Sequence, residues 1–215
     1  MRKILLGCVF AMVAMPAMAD VITLTATVDG VLAGTTSSNT GQLDVTGVAL
    51  GPYSLNTITA DSQTVLPGGG LLNTNSLNLQ QTNTGSHSLV LDIVASGLTG
   101  PGALASLLST FSVTGLTAGW TADERTTING NLLVDTGVFT TPVASAFSTN
   151  SAFLGNTFSA DVHYTITSNG VGGFNGGIDI GVVPVPAPVL GAGLSGLIIA
   201  ALGLVGLNRR RRNLA

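Results

Sequence analysis

The chain has 215 residues, of which 45% are hydrophobic and only 8% charged, and its formal net charge is −3. That charge is unevenly placed: residues 20–182 hold ten carboxylates against Arg125 alone, a net of −9, while the other six basic residues lie near the two ends. So acidic a middle excludes nucleic acid as a partner, because phosphates need arrays of lysine and arginine. The steady supply of Val, Leu, Ile and Phe argues against disorder.

In chain order, Arg2 and Lys3 form a positive start, residues 4–15 an apolar run, and Ala17 and Ala19 a small-residue site before Asp20. These are the parts of a secretory signal peptide over residues 1–19, removed by signal peptidase so that Asp20 leads the exported chain. An apolar run of 12 residues is too short to span a bilayer. Leu5-Leu6-Gly7-Cys8 looks superficially like a lipoprotein box. Cutting there would leave about four apolar residues where a signal needs roughly 7–15. Cys8 therefore leaves with the signal, and the exported chain has neither disulfide nor thiol nucleophile.

Residues 20–182 amount to one domain and read as short strands with a period of two. Ile22, Leu24, Ala26 and Val28 alternate with Thr23, Thr25 and Thr27, and Asp29-Gly30 supplies a hairpin turn into 31–33. A polar loop is expected over 35–42, then strands over 43–50 and 53–60. Residues 62–86 are the weakest stretch, broken by Pro67-Gly68-Gly69-Gly70 and followed by Asn-Thr-Gln tracts. A strand over 88–95 follows. Residues 103–108 suggest a short helix, and 110–116 an extended segment. Asn129-Gly130 sets a type I′ hairpin between 126–128 and 131–134. The clearest strand is 158–167: Phe158, Ala160, Val162, Tyr164 and Ile166 form its apolar face, while Asp161 and His163 face water. Glycine-rich 170–177 then turns the chain into a last strand, 178–183. Many short strands with one apolar face predict an all-β antiparallel β-sandwich.

Candidate chemistry is sparse. His163 lies on a polar strand face and His87 in the Gly85-Ser86-His87 turn; both read as solvated histidines, and no Gly-x-Ser-x-Gly elbow accompanies them. No His-Glu-x-x-His or Cys/His cluster suggests zinc, and the glycine runs at 68–70 and 170–173 lack the lysine or helix start of a phosphate loop. Asp123-Glu124 is the only adjacent acidic pair, and a calcium site there competes with neutralisation by Arg125. Trp120 reads as core packing, with a stacking platform for a sugar ring as the alternative. No catalytic residue, cofactor or metal is assigned, and no enzyme activity is expected.

The end of the chain is the most specific signal. Val183, Pro184, Val185, Pro186, Ala187 and Pro188 form an extended proline motif, residues 189–207 carry no charge, and residues 208–215 include Arg209, Arg210, Arg211 and Arg212. As a helix, the uncharged stretch reaches about 28 Å, near the ~30 Å of a bilayer core. Its glycines suit a membrane helix, and the four arginines act as a stop-transfer cluster that stays cytoplasmic. Proline motif, short apolar helix and terminal arginines resemble the PEP-CTERM sorting signal of Gram-negative bacteria, in its VPLPA-CTERM-like variant. The glutamate of the Pro-Glu-Pro form is replaced by Val185. The resemblance implies processing by an exosortase at the inner membrane, then delivery to the cell surface or an extracellular, biofilm-type matrix beside exopolysaccharide. The expected function is thus that of a non-enzymatic exported surface protein. A carbohydrate- or calcium-binding surface module is the alternative, and an ordinary single-span tail the alternative to the sorting signal.

Overall fold

The computed structural model describes residues 20–62 and 70–183. Among the described residues, twelve strands form two antiparallel sheets of six. The strands are β1 (Val21–Val28), β2 (Val31–Ser38), β3 (Gln42–Leu50), β4 (Tyr53–Ser62), β5 (Gly70–Gln81), β6 (Ser86–Thr99), β7 (Ala103–Leu116), β8 (Thr121–Ile128), β9 (Asn131–Phe139), β10 (Ala144–Leu154), β11 (Thr157–Asn169) and β12 (Gly172–Val182). The first sheet runs β2-β1-β6-β11-β8-β9 and the second β10-β7-β12-β5-β4-β3. Alternation explains the layering: every second residue of β1, β4, β6, β7, β8 and β11 is buried, and these side chains meet in one core between the sheets.

The core centres on large rings. Trp120, Tyr53, Tyr164, Phe111 and Phe174 are the bulkiest fully buried side chains. Tyr53 meets Trp120 edge-on at 6.3 Å, and Tyr164 meets Phe174 at 6.2 Å, arrangements that place ring edges on ring faces. The two sequence-expected hairpins are present, with positive φ at Asp29 and Gly30 and at Asn129 and Gly130, as a type I′ turn requires. The β-sandwich itself, and the inward face of β11, match expectation.

Several local expectations are overturned. Residues 103–108 are not helical: they begin β7, which β10 pairs from Ala103 and β12 from Leu107, so ladder bonds override any helical preference. The polar loop expected over 35–42 shrinks to residues 39–41, because Thr35, Thr36, Ser37 and Ser38 continue β2 along β1. In the weak stretch 62–86, residues 70–81 form β5, an interior strand between β4 and β12. Its Leu72, Leu77 and Leu79 point inward while Asn78 and Gln80 point out, so the alternation is there despite asparagines that disfavour strands. Gly172 to Gly177 belongs to β12 and not to a turn. His87 lies within β6.

Candidate functional site

Three polar assemblies stand out among the described residues: one on each outer face of the sandwich and one inside it. On the first sheet, cross-strand register lines up Thr25, Asp92, His163, Arg125 and Asp135 in a row across five strands. His163 Nδ1 pairs with Asp92, and its Nε2 lies 3.1 Å from Thr165 Oγ1. Arg125 holds Asp123 at 2.7 Å and Asp135 at 3.2 Å. The bond to Asp92 raises the pKa of His163, and the charges of Asp92 and Asp161 add to it against the cost of burial. Burial, followed by repulsion from Asp92, pushes Asp161 up to about 6. Sequence reasoning sends Asp161 and His163 to water; both are instead half-buried and coupled to their neighbours.

Asp92, His163 and Thr165 are arranged in the order of a hydrolytic relay, yet one feature speaks against it. The amides of β6, β11 and β8 are committed to ladder pairing across this flat face, which leaves no pair of donors for an oxyanion. The row is a ladder of polar and charged groups, in which Arg125 neutralises Asp123 and Asp135 and Asp92 holds His163.

The outer face of the second sheet is different in kind. Asn56 Nδ2 donates to Asn78 Oδ1 at 2.6 Å, and Asn78 Nδ2 donates to Asn175 Oδ1 at 2.6 Å, so three amides form a chain across β4, β5 and β12. Asn56 is the extra residue of a bulge in β4, which turns its amide toward Asn78. Asn75 adds a bond to Asp61 at 3.1 Å. On β12, Asn175, Gly177, Asp179 and Gly181 follow one another on this side. A Cβ on Gly177 would sit 2.7 Å from the Thr74 carbonyl, so the backbone there must stay bare. Asp179, whose carboxyl burial pushes up, lies opposite Thr110, and Thr110 lies opposite Phe147, which is 79% exposed on β10. The result is a flat strip of planar amides and hydroxyls with an aromatic ring at its flank.

Inside the sandwich, β8 turns Ala122, Glu124, Thr126 and Ile128 to the core. Glu124 is 0% exposed, and neither of its carboxylate oxygens has a hydrogen-bond partner. Burial first, and the charge of Asp123 second, push it up to about 8, so it is a neutral acid at ordinary pH. It stands opposite Tyr164, whose hydroxyl bonds Thr74; Thr74 in turn takes Ile178 N–H at 2.9 Å. Thr126 and Ser109 bond at 3.0 Å across the sheets. The Asp123-Glu124 pair considered for calcium is therefore split: the period of two sends Asp123 to Arg125 outside and Glu124 to the core. Among the described residues, no group of three His, Cys, Asp or Glu is placed to hold a metal.

Two other candidates have structural places. Trp120 is 1% exposed against Tyr53, which rules out sugar stacking on it. His87 Nδ1 lies 2.8 Å from Asp29 Oδ2, fastening the first hairpin to β6. The amide chain escapes sequence reasoning because its members come from three separated segments. The alternation Leu77-Asn78-Leu79 is the one local signal that could have exposed it.

Of the targeting residues, Ala17, Ala19, Pro184, Val185, Pro186, Ala187, Pro188, Arg209, Arg210, Arg211 and Arg212, with the expected helix 189–207, lie outside the described residues. Asp20 and Val183 are inside. The Asp20 carbonyl accepts Gly41 N–H at 3.0 Å, and Val183 N–H donates to the Ser106 carbonyl at 2.9 Å.

No protein-family model matches the chain, and no curated protein does. Among solved structures, it is similar to a family 35 carbohydrate binding module from Clostridium thermocellum, at 18% identity over 56% of this chain and 86% of that one, with a TM-score of 0.30. It is similar to CBM35 from Paenibacillus barcinonensis at 17% identity, over 68% of this chain and 94% of that one, with a TM-score of 0.28. A beta-glucosidase from Kluyveromyces marxianus matches at 11% identity over 77% of this chain but 16% of that one, with a TM-score of 0.33. Scores at this level carry no weight for either the fold or the ligand.

Proposed function

We propose that this chain is an exported, non-enzymatic surface or extracellular-matrix protein that holds polysaccharide on the outer face of its second sheet. The observation that carries the reading is the chain of amides from Asn56 through Asn78 to Asn175. An amide both donates and accepts, and a line of them at strand spacing suits the repeated hydroxyls of an extended glycan. Phe147 beside Thr110 adds an exposed apolar ring on the same face, where a sugar's C–H side can lie. A face with few charges favours a neutral or weakly charged glycan, since the −9 of residues 20–182 repels polyanions. Export rests on the signal peptide and on the PEP-CTERM-like tail, which together send the sandwich through the inner membrane toward the surface.

The test is affinity electrophoresis through gels containing soluble polysaccharides, including exopolysaccharide of a producing strain. The protein should be retarded, and Asn78→Ala should lose most of that retardation, because it cuts the amide chain at its centre. Mobility that is the same with and without every polysaccharide would overturn the binding reading. For the export reading, mass spectrometry of protein recovered from a host with an exosortase should show Asp20 at the N-terminus and loss of the arginine tail. An intact tail in such a host would count against processing.

A further inference from the structure

A sandwich has four edge strands, here β2 and β9 in the first sheet and β10 and β3 in the second. Edges invite another strand, and soluble proteins usually blunt them with charges, glycines, prolines or bulges. Three of these four are blunted. β2 contains Gly34 and pairs through a register shift, and β3 carries Asp44 and a positive-φ Gly47. β9 carries Asp135 and Gly137 and shifts register twice. β10 has no such device: its 11 residues, Ala-Ser-Ala-Phe-Ser-Thr-Asn-Ser-Ala-Phe-Leu, hold no charge, proline or glycine. It follows β7 without a shift from Ala144 to Leu154. Phe147 and Phe153 on it are 79% and 63% exposed.

The direction of its backbone groups can be read from neighbouring bonds. The Ser106 carbonyl of β7 accepts Val183 N–H beyond β12, so odd residues of β7 face β10 and meet its even residues, whereas Ser151 N–H is taken by the side chain of Asn150. Even-numbered residues therefore address β7, and odd-numbered residues present their amides and carbonyls to the open edge. The sequence repeats Ser-Ala-Phe at residues 145–147 and 151–153. An antiparallel pair of two β10 strands, with its two-fold axis at Asn150, sets odd residues opposite odd ones. It places Phe147 against Phe153 of the second copy, and Phe153 against Phe147, on the outer face. Such cross-strand aromatic pairs are among the strongest a sheet offers.

We propose that the chain forms a two-fold homodimer by pairing β10 with β10 of a second copy, in the register that matches Phe147 with Phe153. The occupant is a second copy because the strand is self-complementary in this register, and an isologous contact closes at two. The pairing exchanges the Asn150 bond to Ser151 N–H for a strand-to-strand bond. It joins the two second sheets into one, with their outer faces on the same side, so two amide strips lie side by side. The dimer stands on the edge alone and does not depend on the polysaccharide reading.

The test uses the full chain, purified in mild detergent, with mass read by light scattering over a range of concentrations. The wild type should rise about twofold in protein mass as concentration grows. Two variants should stay at monomer mass while keeping the wild-type circular dichroism. Phe147→Lys puts a charge on the edge, and Thr149→Pro removes an edge-facing N–H that β7 does not use. Register is read by oxidative cross-linking in a Cys8→Ser background. A mixture of Phe147→Cys and Phe153→Cys chains should cross-link, and each alone should not. A wild type that stays monomeric, a dimer that survives Phe147→Lys, or cross-links formed by one variant alone would each overturn the proposal.

Discussion

At the scale of single residues, β11 gives the sharpest contrast. Val162 is fully buried on the inward face, so an aspartate there takes a charge into the apolar core. Val162→Asp should cost several kcal/mol and unfold the domain. His163, one position on, reads in the sequence as a solvated residue whose removal would cost nothing, and the structure changes that expectation. It sits between Asp92, Asp161 and Arg125, with its pKa raised by the bond to Asp92. Without it, Asp92 and Asp161 face each other as like charges. His163→Ala should therefore cost roughly 1 kcal/mol near pH 6, a figure kept small because the pair is partly exposed. Urea denaturation at that pH separates the two substitutions. A cost near zero for His163→Ala would restore the solvated reading. The period of two placed Val162 correctly from sequence alone; it could not show that Asp92 and Arg125, 71 and 38 positions away, flank His163 in neighbouring strands.

At the scale of elements, legibility followed local chemistry. β1, β8 and β9 carry turn dipeptides that need positive φ, and β11 carries an unbroken alternation, so these were visible in whole or in part. β5, the first half of β7 and the glycine-rich first half of β12 were hidden because their stability comes from their neighbours. Asparagine and glycine weaken a strand taken alone, yet a strand paired on both sides has its backbone satisfied whatever its side chains. β12 shows the use of this latitude. Its bare Gly177 lets the strand pass 2.7 Å, at Cβ distance, from the Thr74 carbonyl of β5. Gly177→Ala would drive a methyl group into that carbonyl and should lower stability by about 1–3 kcal/mol, with an unchanged denaturant slope if the sheet only shifts. The same substitution at Gly30, in open space but at φ +78, should cost only its local backbone strain of about 1 kcal/mol. Equal midpoints for the two variants would mean that β12 does not pass so close to β5.

For the molecule as a whole, the carboxyls that burial pushes up dominate the pH dependence of stability. Glu124 has a folded pKa of about 8 against an ordinary 4.5, so below pH 4.5 it is neutral both folded and unfolded, and its contribution is fully present. As pH climbs from 4.5 toward 8, the unfolded chain ionises and the folded one resists, and stability is lost. Asp161 does the same between 3.8 and about 6. His163, raised above 6.5, is protonated in both states below that value, and its stabilising bond to Asp92 fades as pH rises through the folded pKa. Asp29 opposes them: its pKa is lowered first by Ser88 N–H, so its contribution is lost as pH falls below its ordinary 3.8. These signs place the stability maximum at about pH 4–5, below the usual range, with a decline on the order of several kcal/mol by pH 8. Glu124→Gln keeps the shape of the side chain without its ionisation. Urea midpoints measured at pH 4.5, 6 and 8 should fall steadily for the wild type. The variant should fall much less, and at pH 8 it should be the more stable of the two. Parallel pH profiles for both proteins would show that the Glu124 carboxyl reaches water, and a wild-type midpoint rising toward pH 8 would show that the paired surface carboxylates outweigh the buried one.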